Sequence, residues 1–276
     1  MGTRKSINVM EAPAAPVDLA YRAYGTEGPA LLILHGLLGS SGNWHTLASK
    51  AFAPHFRVWV LDLRGHGRSP HAEPIDYPTM AADVLAFMDR HQLGRAHVLG
   101  HSMGGKVAME LALRAPDRVD RLVVVDIAPR AYEARHNHIL QALRDIDLAQ
   151  YNNRQAIDKA LAASIPEDSI RQFLLKNLLY DAATQTYRWQ VDLQGLMRYY
   201  DRINAAINNQ RQFTGPALFV RGERSDYLTE SDATHMRRLF PRAQMVIIPG
   251  AGHWVHADAP EAFAYTVVTF LLQPES

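Results

Sequence analysis

The chain has 276 residues, 29 basic and 28 acidic, for a formal net charge of +1. That balance gives no field to draw in nucleic acid or an anionic membrane surface, so neither is expected as a partner. Cysteine is absent, which excludes disulfides, a thiol nucleophile and thiolate metal sites and fits a reducing cytoplasm.

Residues 1–19 hold Arg4 and Lys5 but no apolar run of secretory length, so no leader is expected. Residues 31–34, Leu-Leu-Ile-Leu, read as a buried strand ending at His35-Gly36. Residues 58–61 form the next strand, ending at Asp62, and a helical pattern covers 78–91. Residues 96–99 lead into Gly100, a helical pattern covers 103–114 before Pro116, and residues 122–125 end at Asp126. Unbroken apolar runs of this length suit parallel strands covered on both faces. Strand and helix alternate, which predicts a doubly wound sheet.

The alternation breaks at residue 130. Up to residue 211 no strand-like run occurs, and helical stretches are predicted at 138–148, 153–163, 169–179 and 191–207. Strand character returns at 217–220 and 244–248, and a last amphipathic helix covers 260–272. The expected division is an α/β core over 1–129, a helical cap over 130–211, and the rest of the core over 212–276. The last part has too few strands to close a core alone. No apolar run approaches the roughly 20 residues that span a bilayer, so stable membrane insertion is not expected.

Gly100-His101-Ser102-Met103-Gly104-Gly105 matches the pattern G-x-S-x-G, between a buried strand and a helix. Such a turn lifts the Ser102 hydroxyl above the sheet edge at a helix N-terminus, whose partial positive charge favours an oxyanion. A serine needs a base to become a nucleophile. Gly250-Ala251-Gly252-His253-Trp254 follows the last strand, and its glycines allow His253 to fold back and take the Ser102 proton. His256, three residues on and outside the glycine loop, is the weaker alternative.

An oxyanion hole needs two backbone donors. Met103 N–H supplies one, and His35-Gly36-Leu37-Leu38-Gly39 points to Leu37 N–H as the other. His35 is expected to shape this loop. Asp62 and Arg64, in Asp62-Leu63-Arg64-Gly65-His66-Gly67, are expected to pin loops behind the site. No histidine pair has metal-ligand spacing, so no metal and no organic cofactor is expected.

Two carboxylates compete to orient His253. Asp226 follows the strand ending at Val220, but the usual glycine-x-x-aspartate spacing from Gly222 falls on Ser225. Asp126 ends the strand beside the nucleophile. The blocks Gly100-His101-Ser102-Met103-Gly104-Gly105-Lys106, Val124-Val125-Asp126-Ile127-Ala128-Pro129 and Gly250-Ala251-Gly252-His253-Trp254-Val255-His256 together resemble the YbfF-like branch of the α/β-hydrolases. That branch takes its acid from the D-I-A-P segment, so the resemblance implies Asp126. The sequence departs from the branch by keeping Asp226, which stays the alternative acid.

The resemblance implies an α/β-hydrolase fold: a mostly parallel, doubly wound sheet with a helical cap insertion. It also implies a small-molecule ester as substrate, cleaved through an acyl-enzyme, with acyl thioesters as a second class. Activity is expected to fall as His253 protonates. Apolar cap residues, among them Ile139, Leu143, Phe173, Leu174, Leu178 and Leu196, suit an acyl chain, although helical spacing alone would bury them in the cap's own core. A carbon–carbon bond hydrolase could use the same triad, and a ligand receptor could retain it with little turnover. Epoxide hydrolases and dehalogenases need an aspartate where Ser102 stands.

Overall fold

The structure is a computed structural model that describes residues 14–274. Up to residue 13, the stretch read for a leader lies outside the described residues.

The sheet strands are β1 (Tyr21–Tyr24), β2 (Ala30–Leu34), β3 (Arg57–Leu61), β4 (Ala96–His101) and β5 (Val119–Val125). A separate pair follows, β6 (Leu178–Asp181) and β7 (Thr186–Trp189), and then β8 (Ala217–Gly222) and β9 (Ala243–Ile248) return to the sheet. Its seven strands run in the order β1-β3-β2-β4-β5-β8-β9. Only β1 is antiparallel to its neighbour; β2, β3, β4, β5, β8 and β9 pair in parallel.

The helices of the first part are α1 (His45–Leu47), α2 (Tyr77–Arg90) and α3 (Met103–Arg114). Between β5 and β8 lie α4 (Asn137–Asp145), α5 (Arg154–Leu161), α6 (Asp168–Leu174), α7 (Leu193–Arg198) and α8 (Tyr200–Asn204). The chain ends with α9 (Ala233–Leu239), α10 (Val255–Asp258) and α11 (Pro260–Leu271).

Successive strand residues point to opposite faces, and the core divides accordingly. Leu32, Leu34, Leu122, Val124 and Phe219 pack with Met80, Phe87 and Val107 of α2 and α3. Leu31, Ile33, Val123, Val125 and Val220 pack on the other face with Trp44, Phe263 and Phe270. Both faces are covered, which is why these strands read as continuous apolar runs. No helix of the described residues is long and apolar enough to cross a membrane.

Three features depart from the sequence expectation. β1 is an edge strand with an exposed, polar pattern, Tyr-Arg-Ala-Tyr, that carries no strand signal. The insertion contains a β-hairpin, β6–β7, where only helices are predicted. Its turn has Gln185 at φ 55°, a left-handed position usually marked by glycine or asparagine. The helix predicted over 191–207 is broken at Tyr199, and Asp192 caps α7 by accepting from Gly195 N at 2.9 Å.

The two ends of the insertion meet. Tyr132 N donates to Asn204 O at 2.8 Å, and Ile207 N donates to Pro129 O at 2.8 Å.

Candidate active site

β4 ends at His101 and α3 begins at Met103, so the chain turns at Ser102 alone. Ser102 has φ 53° and ψ −119°, a conformation costing a non-glycine residue about 1–3 kcal/mol. Surrounding contacts fix it. Ser102 N donates to Val125 O at 3.0 Å, tying the turn to the end of β5. A Cβ on Gly104 would lie 2.4 Å from Leu34 O, and one on Gly100 would lie 2.1 Å from Gly104 O. Only glycine lets helix and strand ends approach this closely.

His253 arrives from the loop after β9. Its Nε2 lies 3.0 Å from Ser102 Oγ, and its Nδ1 lies 2.8 Å from Asp126 Oδ2. With a carboxylate as acceptor, Nδ1–H donates and Nε2 is left to accept the serine hydroxyl. The loop fits closely over β8, because a Cβ on Gly222 would stand 2.1 Å from Gly252 O. His101 Nε2 holds the same loop at 2.9 Å from His253 O. The Tyr227 ring stacks on the imidazole at 4.0 Å and 26°.

Asp126 is fully buried and sits just past β5 at φ 52°. Besides His253, its carboxylate accepts from Gly222 N at 3.0 Å and from the Ser225 hydroxyl. Ser225 occupies the position where the usual spacing would place the acid; here it supplies a donor to the carboxylate on the neighbouring strand. Asp226 faces outward. Its side chain is 68% exposed and pairs with Arg135 at 2.8 Å, whose hydrogen bond holds the carboxyl below the ordinary range. The structure thus brings Asp126 to His253 and turns Asp226 away, one residue past a turn closed by Ser225 N donating to Gly222 O at 3.0 Å.

Leu37 and Met103 both border Ser102. No described acceptor meets the N–H of either, and a Cβ on Gly36 would stand 3.3 Å from the Ser102 Cβ. His35 Nδ1 donates to Gly36 O at 2.8 Å and its Nε2 accepts from Leu63 N at 3.0 Å, which shapes the loop. Asp62 accepts from Ser41 N at 2.6 Å and Arg68 N at 3.0 Å. Arg64 pairs with buried Asp83 at 2.6 Å. His256 stacks on Trp44 at 4.2 Å and makes no hydrogen bond to Ser102.

A cavity of about 220 Å³ opens on Ser102. Ile139, Ile170, Phe173 and Leu174 of the insertion form its apolar wall. Leu143, Leu178 and Leu196 are buried within the insertion instead. Two further lining residues, His136 and Tyr227, carry no sequence signal, and a third, Trp254, is marked only as the neighbour of His253. Burial, then the His253 charge, lowers His136 to about 4 and His256 to about 3. Burial first, then the His256 and His253 charges, lowers His101. The imidazoles around His253 are therefore neutral near pH 7. Among the described residues no group of three or more histidine, aspartate or glutamate side chains could hold a metal ion.

The family model described as "alpha/beta hydrolase fold" matches residues 29–260. The chain is 37% identical over 267 residues to the sn-1-specific diacylglycerol lipase ABHD11 of Danio rerio, covering 94% of this chain and 84% of the relative. It is 34% identical over 242 residues to Esterase YbfF of Escherichia coli K12, covering 87% of this chain and 92% of the relative. A solved structure titled "Marine microorganism esterase" superposes with a TM-score of 0.89 at 38% identity, covering 92% of this chain and 99% of that one.

Proposed function

The chain belongs to the alpha/beta-hydrolase family, and from that footing we propose that it is an ester hydrolase in which Ser102, His253 and Asp126 act as a triad. One observation carries the reading. A single imidazole is shared between the hydroxyl at 3.0 Å and a wholly buried carboxylate at 2.8 Å.

Ser102 Oγ gives its proton to His253 Nε2 and attacks the ester carbonyl. The N–H groups of Leu37 and Met103 hold the resulting oxyanion; each such donor is worth about 10²–10³ in turnover. The imidazolium returns the proton to the departing alcohol, leaving an acyl-enzyme. His253 then takes a proton from water, which attacks the acyl group, and returns that proton to Ser102 Oγ as the acyl–oxygen bond breaks and the acid leaves. Asp126 keeps the proton on Nδ1 throughout.

Residues 130–211 serve as a cap whose apolar wall receives the acyl chain. At about 30 Å³ per water-sized group, a cavity of about 220 Å³ suits an acyl chain of medium length. Relatives named esterase and diacylglycerol lipase support the same reaction class.

Ser102→Ala tested on nitrophenyl esters from acetate to laurate decides the matter. Turnover should fall by about 10⁴ or more, and wild-type kcat/KM should peak at medium chain length. Retained activity in Ser102→Ala would overturn the proposal.

A further inference from the structure

One buried charge near the site has no part in the chemistry just described. Lys106 lies one turn into α3, and only 1% of its surface is exposed. None of the ion pairs among the described residues involves it. Its ammonium donates instead to two backbone carbonyls, Arg130 O at 2.8 Å and Ala205 O at 2.5 Å. It also faces two aromatic rings, Tyr132 at 4.8 Å and Tyr77 at 5.4 Å.

Those two carbonyls belong to opposite ends of the insertion. Arg130 lies on the way out of the sheet after β5, and Ala205 on the way back after α8. We infer that Lys106 is a positioning residue of this hydrolase, fastening both ends of the insertion to the helix that begins at Ser102 and so fixing the acyl-binding wall over the nucleophile. The inference rests on the reading of Ser102 as nucleophile and of the insertion as acyl wall.

Three observations support it. First, a buried ammonium without a carboxylate is expensive, and an apolar side chain of similar volume would cost less. Packing stability therefore does not account for a lysine here, whereas a donor reaching two carbonyls at once does. Burial first, and the Arg130 charge second, bring Lys106 down to about 7, as expected where only carbonyls and ring faces hold it.

Second, the contact reaches further. Tyr132 accepts from Ala128 N at 2.8 Å and donates to Tyr227 O. Its ring stacks on Tyr227 at 5.5 Å and 27°, and Tyr227 in turn stacks on His253. The ammonium thus backs the ring through which the first end of the insertion packs on Tyr227. Third, Lys106 and Ser102 border one small cavity of about 30 Å³, together with Tyr132 and Tyr227.

The test compares Lys106→Met and Lys106→Arg on nitrophenyl acetate and octanoate. Lys106→Met keeps length but loses the donors. A freed insertion misplaces Ile139, Phe173 and Leu174, which an octanoyl chain touches and an acetyl group does not. Octanoate kcat/KM should fall about ten-fold or more, through KM, with acetate changed less than about three-fold. Lys106→Arg, which keeps charge and donors, should restore octanoate to within about three-fold of wild type. Equal loss on both esters, or no loss on either, would overturn the inference.

If Lys106→Met does not fold, Tyr132→Leu removes the ring and leaves both carbonyl bonds. It should shift selectivity toward acetate by about three-fold, and an unchanged ratio would overturn the inference. Ser102→Ala is run beside these variants. Turnover surviving there refutes the nucleophile assignment, while the selectivity ratio reports on Lys106 alone.

Discussion

Ser102 holds φ 53° because three fixed neighbours leave it no other choice: the end of β5, the carbonyl of Leu34 and the start of α3. The glycines that permit this are visible in the sequence, and so are those that bring His253 back across the sheet. The proposed acid is not visible from spacing, which sets Asp126 against Asp226; the resemblance implies Asp126, and the contacts that favour it are long-range. Gly222 N and the Ser225 hydroxyl both converge on Asp126, while Arg135 holds Asp226 in solvent. Asp126→Asn should lower kcat by about 10⁴, since an amide fixes the wrong tautomer of His253. Asp226→Asn should stay within about two-fold, as expected for an exposed ion pair. Steady-state kinetics on one activated ester checks both, and the reverse ranking would refute the assignment.

At the scale of elements, legibility follows burial. β2, β3, β4, β5 and β8 are covered on both faces and read as plain apolar runs. β1 is exposed along almost its whole length and the β6–β7 hairpin is only partly covered, so neither has a buried face to impose an alternating pattern. The hairpin turn uses Gln185 where a glycine would have announced it. The break between α7 and α8 needs no proline or glycine at Tyr199; Asp192 starts α7 and also donates its N–H to Gly65 O at 2.8 Å. The turn that carries Ser102 gives an element-scale prediction. Gly104→Ala drives a Cβ to 2.4 Å from the Leu34 carbonyl, a backbone atom that cannot step aside. It should cost about 3 kcal/mol, the top of the usual overpacking range. Gly94→Ala meets nothing within 4 Å and should be neutral or stabilising by about 0.4–1 kcal/mol. Urea midpoints measure both, and equal midpoints for the two variants would contradict the packing argument.

The whole molecule responds to pH through its buried histidines. Burial, ahead of neighbouring charges, brings His66 and His256 to about 3 and His136 to about 4. Unfolded, each binds a proton once pH falls below about 6.5; folded, each refuses it until these lower values. The native state therefore has their full contribution above about pH 6.5 and loses about 1.4 kcal/mol per group per pH unit below it. Tm should be level from pH 7 to 8 and fall steeply between pH 6 and 5. A Tm independent of pH down to 5 would mean these imidazoles are not held neutral. The fold, with its two-faced sheet and long insertion, is largely written in the alternation of strand and helix. The cavity is not, because it arises where distant segments meet. The most direct measurement of the central claim treats the protein with an alkyl fluorophosphonate and maps the adduct by mass spectrometry. The account predicts one adduct, on Ser102, forming in step with loss of esterase activity. An adduct on another residue, or lost activity with Ser102 unmodified, would contradict it.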